Sequence, residues 1–172
     1  AMVKKYQLHP SFVIYIIFLI IIGQLQSVAT YIVVVSIHEF AHGFVACKLG
    51  DPTAKDQGRL TLNPLRHIDP LGFLFMLIFR VGYAKPVPVN PLYFKNPKKG
   101  MMLTAIAGPV SNLLLSFVSA FITFVLMYIN SVDSDVVYYA CIFFSLMTHV
   151  NIALAVFNLI PVHPLDGSRI LN

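Results

Sequence analysis

Residues Ala29 to Leu49 read ATYIVVVSIHEFAHGFVACKL, an apolar stretch with two histidines and a glutamate set into it. His38, Glu39 and His42 form the pattern His-Glu-x-x-His. On a helix of 3.6 residues per turn, positions i and i+4 share a face, so both imidazoles can address one metal ion. Glu39 sits beside them, where a carboxylate can act as base toward a water at that ion. Ionisable groups within a membrane-grade apolar run are costly and read as functional. The competing reading is a group of core polar side chains bonded to one another.

Composition fixes the solvent around that stretch. The chain of 172 residues is 58% hydrophobic and 11% charged, with a mean hydropathy of +0.78. A soluble domain would carry about a quarter charged residues. The sequence therefore reads as an integral, multi-pass membrane protein, all-α, with residues 1–172 forming a single membrane-embedded domain. Cys47 and Cys141 lie in or beside apolar runs and read as buried fillers rather than a disulfide.

Four spanning segments are expected: Phe12 to about Ser27, the motif helix, Met101 to Ile129, and Val136 to Leu159. A crossing needs ~20 apolar residues, which makes the first the shortest candidate. Leu71 to Phe79 is too short to cross and reads as re-entrant or interfacial. Nine of the twelve Lys and Arg fall between Lys48 and Lys99, while the loop Asn130 to Asp135 has none. With four crossings, every basic residue lies on one side, which places both termini in the cytoplasm. Topology and anionic lipid account for the net charge of +5, so no nucleic-acid partner is expected. At 1.5 Å per residue, His42 and His38 lie ~9 to 15 Å below the boundary marked by Lys48.

A zinc site needs a third protein ligand and an open position for water. Of seven acidic residues, Glu39 is the base, two sit on the far side, and Asp51, Asp56 and Asp69 lie in a polar loop. Asp166 remains, in Asn158-Leu-Ile-Pro-Val-His-Pro-Leu-Asp-Gly167. Pro161 and Pro164 prevent a regular helix there and Gly167 permits a tight turn. Asp166 reads as a metal ligand or as a helix cap, with His163 as a rival ligand.

His38-Glu39-Phe-Ala-His42 in an apolar helix, Ala107-Gly-Pro-Val-Ser-Asn112 in a second, and Asn158 through Asp166-Gly167 after a third together resemble the site-2 protease family. These are zinc intramembrane metalloproteases. Gly58 to Gly72 and Gly82 to Asn90 also resemble the family's compact bacterial and archaeal members. The resemblance covers about residues 28–171. It implies one catalytic Zn2+ held by His38, His42 and Asp166, with Glu39 as general base, in a prokaryotic cell membrane. It implies hydrolysis of peptide bonds in or near transmembrane segments of membrane-protein substrates, that is, regulated intramembrane proteolysis. Relatives often continue past the aspartate motif, so a C-terminal truncation at Asn172 is expected. A regulatory membrane partner and the oligomeric state stay open.

Other polar residues carry two readings each. Gly108-Pro109 reads as the opening of the third span, where proline fits a first turn. Asn112 is either a donor to the substrate carbonyl or oxyanion, or a helix-to-helix bond, and the family resemblance tips it toward the site. Asn158 reads as site lining, Asn151 and His149 as structural polar contacts, and His9 and His67 as surface residues. Period-two alternation in Gly58 to Asn90 suggests short strands, and the family resemblance implies that they form a small membrane-associated β segment between the second and third spans. The alternative function is a membrane metal-binding or transport protein without proteolytic activity, which has no need of a glutamate between its histidines.

Overall fold

The computed structural model describes residues 10–129 and 134–171; His9, Lys4, Lys5 and Asp133 lie outside them. It is all-helical among these residues. Helix α1 runs Pro10–Lys48, α2 Thr53–Asp56, α3 Pro70–Phe79, α4 Pro97–Ile129, α5 Asp135–Asn158 and α6 Asp166–Leu171, with short 3-10 turns at Pro64–Arg66 and Pro91–Tyr93. Three of these, α1, α4 and α5, are long and apolar enough to cross a membrane. Helix α4 packs along both α1 and α5, and α6 folds back onto α4.

The expected break between a first and second span is absent. Gln24 to Val28 lies inside α1, which is 39 residues long and so extends ~58 Å. Glutamine is a good helix former, and what it needs in an apolar setting is a partner for its amide. Gln24 Nε2 donates to the Leu77 carbonyl at 3.1 Å and Gln26 Nε2 to the Tyr139 carbonyl at 3.3 Å. Ser27 turns its hydroxyl back onto Gly23 at 2.9 Å. Among the described residues three helices, not the four spans expected, are long and apolar enough to cross. The placement of both termini in the cytoplasm, which rested on four crossings, does not follow from three.

The bundle is apolar outside and polar within. Phe12 to Ile21 on α1 and Phe117, Phe121 and Phe124 on α4 are exposed, as suits a surface facing lipid. Between the helices lie Thr30, Thr104, Ser116, Ser119 and Asn151, all buried; small and hydroxyl side chains let helix backbones approach closely. Asn151 donates to its own helix at Met147, as exposed His149 does at Ser145. Cys47 and Cys141 are free thiols. Pro109 lies inside α4 rather than in its first turn, because the helix already begins at Pro97.

Leu71 to Phe79 does form a short helix, α3. The Asp69 side chain caps it, accepting from the amides of Leu71 and Gly72, and Arg80 ends it in the left-handed region at φ 58°. The expected β segment reduces to a single antiparallel bridge, Ile68 to Ala84. Pro86 and Pro88 lack the N–H that a ladder requires, so residues 83–90 run extended and are held mainly by side chains. His67 is not at the surface. It is fully buried, with Nε2–H donating to the Thr61 carbonyl at 2.7 Å, while its own carbonyl accepts from Lys85 N–H at 2.8 Å.

Continuity of α1 is measurable by hydrogen exchange. The amides of residues 24–28 should exchange as slowly as those of Ile32 to Ser36; fast exchange confined to 24–28 would restore the loop.

Candidate metal centre and active site

One turn of α1 separates His38 from His42, and both rings point at α4. That approach is close because Gly108 lacks a side chain: a Cβ there would collide with His42 Nε2 and with the Cε1 atoms of both rings. On its far edge, His42 Nδ1 lies 2.7 Å from the Thr104 carbonyl. A carbonyl can only accept, so Nδ1 carries the proton and Nε2 presents a lone pair. This arrangement fixes a ligand histidine in the tautomer a metal requires.

Asp166 reaches the same point from the other end of the chain. Helix α5 stops at Asn158, the backbone turns through Pro161 to Leu165, and Asp166 opens α6. Gly167 makes the turn possible, since a Cβ there would strike the carbonyls of Leu159 and Ile160. Asp166 Oδ2 lies 3.2 Å from His38 Nε2 and 3.2 Å from His42 Nε2, and the two nitrogens are 3.0 Å apart. Neighbouring ligands on a tetrahedral zinc with bonds of 2.0–2.2 Å are separated by ~3.3 Å. The triangle is therefore close to the size one ion imposes. Asp166 Oδ2 is also buried without a hydrogen-bond partner, an orphaned acceptor that a cation would satisfy. Donor set and spacing fit zinc.

Glu39 is buried beside this triangle and held by one contact: Val87 N–H donates to Oε2 at 2.8 Å. Oε1 is left for chemistry. Val87 is in turn fixed by the rest of segment 83–90. Arg59 Nη2 donates to the carbonyls of Lys85 at 2.7 Å and Pro86 at 3.3 Å. Asp51, fully buried, accepts from Asn90 N–H at 2.7 Å and from Thr53. Tyr31 donates to the Tyr83 carbonyl at 2.8 Å. Arg59 is itself buried, and among the described residues no carboxylate pairs with it. Neither Arg59 nor Asp51 stood out in the sequence beyond its charge. The one available signal was that a chain so poor in charge places both within a dozen residues of α1.

A cavity of about 360 Å³ opens over these groups, lined by His38, Glu39, His42, Val87, Asn158 and Asp166 among others. Asn158 thus reaches the site, its Nδ2 donating to the Leu154 carbonyl at 3.0 Å. Asn112 does not line this cavity. It is fully buried within the bundle, and neither end of its amide finds a partner among the described residues. His163 is exposed and stands apart from the triangle.

Two imidazoles and a carboxylate converge beside a buried glutamate, within apolar helices, as a group that could hold a metal ion, the donor set of a candidate membrane-embedded metallohydrolase site. Similar proteins agree with that class. The family model described as Peptidase family M50 matches residues 127–172. YwhC of Bacillus subtilis (strain 168), named as a candidate zinc metalloprotease, is 47% identical over 147 residues, which is 84% of this chain and 67% of that protein. MJ0611 of Methanocaldococcus jannaschii, named likewise, is 34% identical over 137 residues, 78% of this chain and 63% of its own length. Rip2 of Mycolicibacterium smegmatis is 27% identical over 166 residues, 93% of this chain and 58% of its own. This chain belongs to peptidase family M50, the site-2 protease family of zinc metalloproteases, and is an integral membrane protein. It spans about two thirds of YwhC and less of the other two relatives. No solved structure matches it.

Gly108→Ala should displace both imidazoles and weaken zinc binding by about ten- to a hundred-fold, the range for disturbing a ligand's supporting contacts. Zinc content after dialysis, with circular dichroism to show retained helix, tests this; full occupancy would contradict the close α1–α4 approach.

Proposed function

We propose that the protein is an intramembrane zinc endopeptidase that hydrolyses peptide bonds in or near transmembrane segments of membrane-protein substrates, as in regulated intramembrane proteolysis. The observation that carries this reading is the orphaned Asp166 Oδ2 meeting two imidazole nitrogens at 3.2 Å beside a buried glutamate. His38, His42 and Asp166 would hold the zinc and Glu39 would serve as general base, residues 1–172 acting as one domain. The loop between α1 and α4 faces the cytoplasm of a prokaryotic cell, a reading supported by its six basic residues and by Lys48, Lys98 and Lys99 on the flanking helix ends.

When bound, the zinc would polarise the scissile carbonyl and acidify a water. The chain's own residues do the rest. Glu39 Oε1 takes the proton of the attacking water and passes it to the leaving amine nitrogen, while the Val87 amide keeps Oε2 from swinging away. Asn158, on the cavity wall, would hold the substrate carbonyl through the second hydrogen of its amide. An intact substrate helix hides its carbonyls in its own hydrogen bonds, so it must unwind first. Segment 83–90, extended along the cavity, offers a backbone edge against which an unwound strand can lie.

Glu39→Gln should retain zinc and lose cleavage by about 10²–10⁴-fold, whereas Asp166→Asn should lose zinc as well. Zinc analysis and a fragment assay on a co-expressed single-span protein separate this from a metal transporter, in which Glu39→Gln would leave cleavage absent throughout and transport intact. Val89→Pro, which removes one amide from segment 83–90, and Arg59→Met, which frees the Lys85 and Pro86 carbonyls, should each lower turnover about ten-fold with zinc unchanged. Unaltered turnover in both would remove the segment from the mechanism.

A further inference from the structure

The cavity over Glu39 does not end at the candidate catalytic groups. It continues along α1 into a smaller chamber that also touches His38, Glu39 and Asn158. Through shared walls at Tyr31, Val34, Val35, Gly82 and Leu154, that chamber meets a third space of about 380 Å³ between α1, α3 and α5. A space of this size can hold two or three large side chains. Its walls are mostly apolar, among them Val34, Met76, Val150 and Ala153. Behind this wall Thr30 Oγ1, on a residue only 1% exposed, is sealed in without a hydrogen-bond partner, and the exposed Arg80 stands at the edge of the space.

Position along α1 gives the register. Val35 and Thr30 precede Glu39 by four and nine residues, so they lie ~6 and ~14 Å from it along the helix axis. An extended peptide advances ~3.3 Å per residue. A chain with its scissile bond at Glu39 therefore passes Val35 about two residues on and Thr30 about four residues on. Unwinding leaves such a chain with apolar side chains and unpaired backbone groups together. The space offers the apolar volume, and rotation of Thr30 about χ1 would turn its unpaired hydroxyl toward the freed backbone groups. A lipid acyl chain would fill the volume and leave Thr30 unsatisfied, a cost of about 1–3 kcal/mol for a buried hydroxyl.

We propose that this chamber is a specificity subsite: it takes a large aliphatic or aromatic side chain two to four residues to one side of the scissile bond, and Thr30 Oγ pairs with a substrate backbone group freed by unwinding. The inference rests on the protease reading and adds to it the class of residue selected and the place where it is read. Ala153 is the natural probe, because it lines the chamber yet is exposed on α5, so a larger side chain enters the space without disturbing the packed interior.

The test uses the full chain in detergent and fluorescent transmembrane peptides carrying Leu or Phe, against Gly, at positions two to four on either side of the cleaved bond. Wild-type protein should prefer the apolar peptide at least ten-fold in KM on one side only. Ala153→Phe should collapse that ratio, and Thr30→Val should weaken both peptides about five-fold while Thr30→Ser restores them. The same peptides are titrated against Glu39→Gln protein, so binding is read without turnover. Apolar-dependent binding to Glu39→Gln protein that Ala153→Phe abolishes, beside a wild-type protein that cleaves none of the peptides, would sink the protease reading and keep the subsite. Cleavage with no preference at these positions, or an Ala153→Phe protein with an unchanged ratio, overturns the subsite. So does a photo-crosslinker at position 153 that captures only lipid or another part of this chain.

Discussion

Three electron-rich atoms, two imidazole nitrogens and a carboxylate oxygen, are aimed at one point inside an apolar bundle. Brought to about 3 Å of one another without a positive charge between them, they repel, and the low local dielectric strengthens that repulsion. The arrangement persists because the surrounding chain over-determines it. Gly108 lets α4 press both rings from one side, the Thr104 carbonyl fixes the proton of His42, and the turn ending at Gly167 delivers the aspartate. Everything else in the fold serves to bring those three supports to the same place.

The supports themselves follow the solvent. In lipid there is little gain from burying a leucine, so the helices present their large apolar side chains outward and meet through threonine, serine, glycine and asparagine. The connection between α1 and α4 works differently. There, backbone groups outside any ladder must still be paired, and Arg59, Asp51 and Tyr31 pair them with side chains. The result is an extended segment held at both ends, whose central amide is left to grip Glu39.

Much of this was legible in the chain. The spacing of His38 and His42 places them on one helix face whatever else happens, while the scarcity of acids narrowed the third position only to Asp166 as ligand or cap, and the family resemblance favoured the ligand. What failed did so for long-range reasons. Gln24 and Gln26 read as a loop because two amides in an apolar run look costly; their acceptors, at Leu77 and Tyr139, are distant in sequence. Alternation in residues 85–89 read as a strand, although the same prolines that create the alternation remove its hydrogen bonds. His67 looked like a surface residue among polar neighbours, yet the fold closes over it. Asn112 read two ways, as an oxyanion donor or a helix-to-helix bond, and the packing of α4 leaves it buried away from the cavity that Asn158 lines. Arg59 carries no local pattern at all, since its acceptors are carbonyls, which every residue has.

The two halves of the metal triangle come from opposite ends of the chain, α1 and α6, with nearly the whole bundle threaded between them. An ion seated there would close a loop of more than a hundred residues, much as a covalent cross-link does, and loops of that length are the ones whose closure most restricts the unfolded chain. Loading the centre would then be a late event in assembly, possible only after α6 has docked on α4, and the metal would clasp the finished bundle shut.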